Sequence, residues 1–246
     1  MHRSLELFTV HLILGNQPLY NFIKNSGKLI HDHDGGFDMI IVVFRTMQPI
    51  LKEIKSITDY PVLFFKESLV PEVDGESEKQ FSDRCEEKLS KILSSHPTTK
   101  CPLLVFDDAL SMPHLMVFIS EIFTRISHHK GLNCFFITQA LFEQNSKRSS
   151  FLRLINRNSK IIVLFRNPRE ARTVSTLIHQ AYPSLEAGEL LKKVREVQQS
   201  PYSYLVFDFD QRTPEFLRVK SNIFSESPPH FPFCIATKST LPPTVE

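Results

Sequence analysis

The ten residues Cys101–Leu110, CPLLVFDDAL, constrain the chain more than any other stretch. Leu103, Leu104, Val105 and Phe106 form a short unbroken apolar run, with Pro102 before it and Asp107-Asp108 after it. A strand with one face in water alternates apolar and polar residues, so an unbroken run this short suits a strand buried on both faces of a parallel sheet. Two adjacent carboxylates then lie at the strand's carboxyl end, the edge at which open α/β sheets bind ligands. The same acids also fit a polar turn, because Asp is common in turns and at helix N-caps. On these ten residues alone the two readings are level.

Similar runs recur along the chain. Leu7–Leu14, LFTVHLIL, predicts a buried strand ended by Gly15-Asn16, and Pro18 fits the first turn of a helix running to about Ile30. Further strands are expected at Asp38–Phe44, Pro61–Phe65, Asn133–Thr138, Lys160–Phe165 and Tyr202–Phe209. Helices are expected at Gln48–Ile57, within Val73–Ser95, and at His114–His128, Glu170–Tyr182 and Leu185–Gln199. Phe142–Arg157 reads as a basic loop with a short helix, and Glu215–Val219 as a short extended piece. This alternation specifies an α/β fold with a mostly parallel sheet. No repeat or linker interrupts residues 1–225, expected to form one α/β domain, while the Pro/Ser/Thr-rich residues 226–246 read as a tail with little fixed structure.

Composition narrows the function classes. The 41% hydrophobic and 23% charged content belongs to a folded globular protein and excludes wholesale disorder. A net charge of +2 leaves any nucleic-acid contact to local basic clusters. Lys147, Arg148, Arg153 and Arg157 form one, although a solvated face explains each member singly as well. The cysteines, Cys85, Cys101, Cys134 and Cys234, have no CxxC spacing, which argues against zinc and for reduced thiols in an intracellular protein. No apolar run reaches the ~18–20 residues that span a bilayer, and Glu6 and His11 break the first apolar segment. A soluble protein of the cytoplasm or nucleus, with no membrane partner, is expected.

A hydrophobic strand ending in two acids is the Walker B pattern, in which the first carboxylate holds Mg²⁺ through water and the second orients or deprotonates the attacking water. Phe135–Gln139 is a second apolar strand ending in polar residues. An amide at Gln139 supplies a neutral donor and acceptor together, which suits a sensor of a γ-phosphate and its attacking water, or a plain strand cap. A third strand ends in Arg166-Asn167-Pro168-Arg169-Glu170. Arg166 or Arg169 could neutralise phosphate charge in its own or a neighbouring subunit, or simply balance Glu170. Ser127-His128-His129-Lys130 sits at a helix end, where cations are favoured by the dipole, so capping outranks metal binding.

Taken in order, strand–Asp107-Asp108, helix, Ser127-His128-His129, Thr138-Gln139-Ala140-Leu141-Phe142, the basic loop, Ile161–Glu170 and Gln180-Ala181-Tyr182-Pro183 form a set of blocks over roughly Asp38 to Phe224. The set resembles the genome-packaging ATPases of Polinton (Maverick) and adintovirus-like elements, in the FtsK–HerA branch of P-loop ATPases. The resemblance implies a three-layer RecA-like P-loop NTPase fold, homo-oligomeric rings, ATP and Mg²⁺ as cofactors, and translocation of double-stranded DNA into a capsid, with capsid proteins as partners and the virion as a further location. By matched position it implies Asp107 as the Mg²⁺ carboxylate, Asp108 as the catalytic carboxylate and Gln139 as the sensor, with Arg166 and Arg169 as candidate arginine fingers.

The sequence departs from that pattern at the phosphate cradle. The family's first strand leads into G-x-x-x-x-G-K-[ST], whose backbone amides, lysine and hydroxyl hold the phosphates and Mg²⁺. Here the turn is Gly15-Asn16-Gln17-Pro18-Leu19-Tyr20, with Gly15 the single cofactor-binding candidate, no lysine, and a proline that removes a donor. Ser26-Gly27-Lys28-Leu29 has a Gly-Lys pair, but Leu29 replaces the hydroxyl and Phe22 the upstream glycine. The expectation is impaired ATP hydrolysis, the first seventeen or so residues standing in for a segment lost by gene erosion or a mistaken gene model. The alternative is a catalytically inactive ATPase-like module that binds protein or DNA.

Overall fold

The computed structural model describes residues 9–13, 17–26, 36–142, 147–167, 171–182, 184–199, 203–223 and 233–236. The chain divides into two compact units, Met1–Ser159 and Lys160–Glu246, so the division falls inside the stretch that the sequence reads as one domain.

The first unit is built on five strands: β1 (Thr9–Ile13), β2 (Met39–Phe44), β3 (Val62–Lys66), β4 (Pro102–Asp107) and β5 (Asn133–Thr138). They are all parallel, in the order β3-β2-β4-β5-β1. β2, β4 and β5 are buried at every position, which accounts for their unbroken apolar runs. Among the described residues, the helices that accompany them include α1 (Gln17–Lys24), α2 (Pro49–Glu53), α3 (Glu78–Ser94), α4 (Met116–Glu121) and α5 (Lys147–Asn158).

Strand alternation sorts the core into two faces. On one, Ile41, Val43, Leu104, Phe106 and Phe136 cluster with Phe81, Cys85 and Leu89 of α3, Phe118 and Ile119 of α4, and Leu152 and Ile155 of α5. On the other, Phe135 meets Phe22 of α1 edge-on at 5.0 Å, and Phe37 packs edge-on at 5.9 Å. Helices on both faces of the sheet make three layers.

α3 shows how local sequence sets such an element. Its buried residues, Phe81, Cys85, Leu89 and Ile92, recur at helical spacing, and its start is a capping box. The Ser77 hydroxyl accepts the Gln80 N–H at 3.3 Å while the Ser77 N–H donates to Gln80 Oε1 at 2.9 Å.

The helix expected at His114–His128 is subdivided. A 3₁₀ turn at Pro113–Leu115 precedes α4, which widens into a π-helical turn at Ile122–Ile126 and ends in Ser127–Lys130, with Gly131 at φ 61° closing it. The wider turn keeps Ile122, Phe123 and Ile126 all in the core. His128 and His129 are exposed in the closing turn, and no group of three or more metal-ligating side chains occurs among the described residues.

In the second unit, β6 (Ile161–Phe165), β7 (Tyr204–Asp208), β8 (Val219–Ser221) and β9 (Phe233–Cys234) pair antiparallel in that order. The strand expected at Tyr202–Phe209 therefore runs against its neighbour. The piece expected to be extended at Glu215–Val219 is a 3₁₀ turn at Glu215–Leu217 that leads into β8. β9 lies within the stretch read as a tail, with Ile235 buried behind it. α6 (Ala171–Ala181) and α7 (Ser184–Val197) pack on one another. Tyr182, at the end of α6, is buried, and that burial raises its phenol to about 12. Asp210 accepts from Arg212 at 2.9 Å and lies 3.4 Å from Lys160 Nζ. The Arg212 hydrogen bond holds its carboxyl well below the usual range.

Candidate functional site

The carboxyl edge of the first unit's parallel sheet brings together three strand ends. β4 and β5 are paired with Asp107 opposite Ile137, and β5 pairs β1 with Thr138 opposite Ile13. β5 thus separates the acidic strand from the first strand, and Gln139 follows directly on this edge.

Asp107 is the last residue of β4 and is 3% exposed. Phe106 points into the core beneath α3 and α4. By strand alternation Asp107 belongs to the opposite face, the one that carries α1. Asp107 therefore lies at the sheet end on the α1 side.

Asp108 leaves the strand in the left-handed region, φ 56° and ψ 32°. That conformation is uncommon for a residue with a side chain, though Asp tolerates it better than most. It turns the chain out of the sheet into the 3₁₀ turn Ala109–Ser111, leaving Asp108 half-buried. Ser111 Oγ donates to Asp108 O at 2.5 Å and to Asp108 Oδ2 at 3.3 Å, so the turn orients the second carboxylate. Ser111 is a positioning residue that the sequence reading passed over, and its signal is a hydroxyl three residues after an Asp.

At the end of β5 the buried Thr138 Oγ1 accepts the Ala140 N–H at 3.3 Å, a hydroxyl-stabilised turn that leaves Gln139 exposed at its tip. Arg45 was also passed over. It follows Phe44, which pairs with Asp107 across β2–β4, and it is an exposed cation on the acidic edge.

The other expected residues fall elsewhere. Arg166 follows β6 in the second unit, exposed, with its backbone N–H donating to Ser203 O at 2.8 Å. Gly15 and Arg169 lie outside the described residues.

The residues present fit only part of a nucleotide site. Two carboxylates beside a polar strand end suit a hard divalent cation. The phosphate side does not fit. β1 is described as far as Ile13 and α1 from Gln17 onward. Laid from Gly15, the eight-residue frame puts Tyr20, Asn21 and Phe22 where the second glycine, the lysine and the hydroxyl belong. Pro18 has no N–H to offer, and Leu19 is fully buried. Its side chain belongs to the core and not to a phosphate.

No protein-family model matches the chain, and no curated protein matches it. Among solved structures it is similar to B204, the DNA-packaging ATPase from Sulfolobus turreted icosahedral virus, with a TM-score of 0.50 and 15% identity over 89% of this chain and 97% of that one. At that identity the likeness bears on the fold alone: a three-layer, RecA-like α/β fold with a mostly parallel sheet.

Proposed function

We propose that the chain is a homologue of DNA-packaging, translocating ATPases of the Polinton (Maverick), FtsK–HerA kind, encoded by a mobile or integrated viral element and impaired in ATP hydrolysis. One observation carries this reading: Asp107 ends β4 and Asp108 follows it, beside Thr138-Gln139 at the end of β5, on the sheet edge that β1 shares. The likeness to a viral DNA-packaging ATPase supports it. Asp107 is the carboxylate for Mg²⁺ through water, Asp108 the catalytic carboxylate and Gln139 the sensor. Gly15 is the remaining glycine of the phosphate turn, and Arg166 and Arg169 are the candidate fingers. Double-stranded DNA and capsid proteins are the partners, a homo-oligomeric ring the working state, and the cytoplasm, nucleus or virion the location.

The buried Leu19 and the absence of a lysine from the turn Gly15–Tyr20 favour the impaired form, and with it a second reading, an inactive ATPase-like module that binds protein or DNA. Calorimetric titration of ATP with Mg²⁺ tests the impairment. The expected result is no binding in the micromolar range. Micromolar affinity that disappears in Asp107→Ala would show that the acidic half suffices and would overturn it.

A further inference from the structure

We infer that the exposed face of α5 is a binding surface for the phosphate backbone of double-stranded DNA. The inference rests on the packaging reading for the kind of partner and on α5 itself for the place. The sequence of α5, KRSSFLRLINRN, holds four cations and no acid. Arg153 and Arg157 are exposed, stand one turn apart, and form no ion pair with any described residue. Their separation of ~6 Å along the helix axis is close to two nucleotide steps of ~3.4 Å on one strand. An uncompensated like-charge pair at i,i+4 disfavours the isolated helix. A polyanion removes that penalty.

Rigidity supports the assignment. Leu152 and Ile155 anchor the opposite side of α5 in the core, so the arginines are presented from a fixed element. Asn156 Nδ2 donates to Leu141 O at 2.8 Å and fastens the segment after β5 to the same helix. Two of the large hydrophobics exposed among the described residues, Leu154 at 38% and Phe142 at 39%, lie in α5 and in that segment. Guanidinium groups fork onto phosphate oxygens, and two apolar side chains give sugars and bases something to rest on without the broad apolar face that insertion into a lipid surface requires.

The test is fluorescence anisotropy of a short labelled duplex titrated with the full chain between about 50 and 200 mM salt. Each phosphate contact contributes ~0.9 to the slope of log affinity against log salt, so R153Q/R157Q should lower the slope by about 1.8 and the affinity by about 60-fold at 0.1 M. R153K/R157K should keep most of both, and K88Q/K91Q on α3 should change neither. Circular dichroism checks that the variants fold. An unchanged slope in R153Q/R157Q, with the wild type still binding, overturns the assignment to α5 and leaves the packaging reading standing. A wild type that binds no duplex at the lowest salt overturns both. Poly-glutamate bound as tightly as the duplex overturns the phosphate assignment.

Discussion

α3 and α5 cover the same face of the first unit's parallel sheet and show water opposite surfaces. Inward they are alike: Phe81, Cys85 and Leu89 from one, Leu152 and Ile155 from the other, all in one cluster. Outward, α3 carries four acids and four bases, and its charges are used. Lys79 pairs with Asp83 and Glu121, Arg84 with Glu76, Lys91 with Glu87, and Glu86 with Arg125 from the π-helical turn. α5 has cations only. Packing against the sheet therefore does not dictate outward charge, and the exposed Arg153 and Arg157 form no ion pair with any described residue.

The largest effects should leave that symmetry of packing intact. Leu89→Ala and Ile155→Ala each remove a fully buried side chain and should each cost about 2–5 kcal/mol, read from urea unfolding. A loss below about 1 kcal/mol for Ile155 alone would mean that α5 is loosely docked, and its arginines would no longer be fixed in space. Next comes the start of α3, where Ser77→Ala removes the hydroxyl that accepts the Gln80 N–H, leaves the Ser77 N–H on Gln80 Oε1, and should cost about 1 kcal/mol. No change would mean that packing alone holds that end.

Much of this was legible in the residues, for identifiable reasons. A strand buried on both faces has no polar partner to alternate with, so MIIVVF, PLLVFD and NCFFIT stood out at close to their observed ends. The adjacency of β4 and β5, which sets Gln139 on the same edge as the acids, is not legible in the residues, because strand order is a long-range property. The reversal at β7 was hidden for the same reason: YLVFD has the same local pattern in either direction. The π-helical turn leaves the apolar spacing nearly unchanged and has no residue signature. At the candidate site, the missing lysine could be read directly, but the burial of Leu19 depends on what α1 packs against. The basic cluster was also visible in sequence. That Arg153 and Arg157 form no ion pair with a described residue, while Lys79, Arg84 and Lys91 of α3 do, needed coordinates.

A smaller effect separates the helices by pH. Arg125, chiefly through its hydrogen bond, lowers the Glu86 carboxyl below its usual value of 4.5. A carboxylate depressed by folding adds stability above its unfolded value, and that stability is lost as pH falls through the folded one. Arg125→Ala should therefore cost about 0.5 kcal/mol at neutral pH, a figure already reduced for solvent screening. The gap between variant and wild type should hold down to about pH 4.5 and close below it. A gap independent of pH would place the role of Arg125 in packing.

The smallest effect has the opposite sign. If the arginines of α5 are kept for a ligand, removing one should relieve repulsion and not lose a contact. Arg153→Gln should stabilise the free protein by about 0.2–0.5 kcal/mol, the usual size of an i,i+4 charge pair. The gain should fade in concentrated salt, where the screening length drops to about 3 Å at 1 M. Urea unfolding at low and high salt reads both features. A loss of stability would show that Arg153 already has a partner within the chain and would dissolve the contrast between the two helices. A gain that shrinks with salt, together with a flatter salt dependence of duplex binding, would mean that the same charge weakens the free helix and holds the DNA.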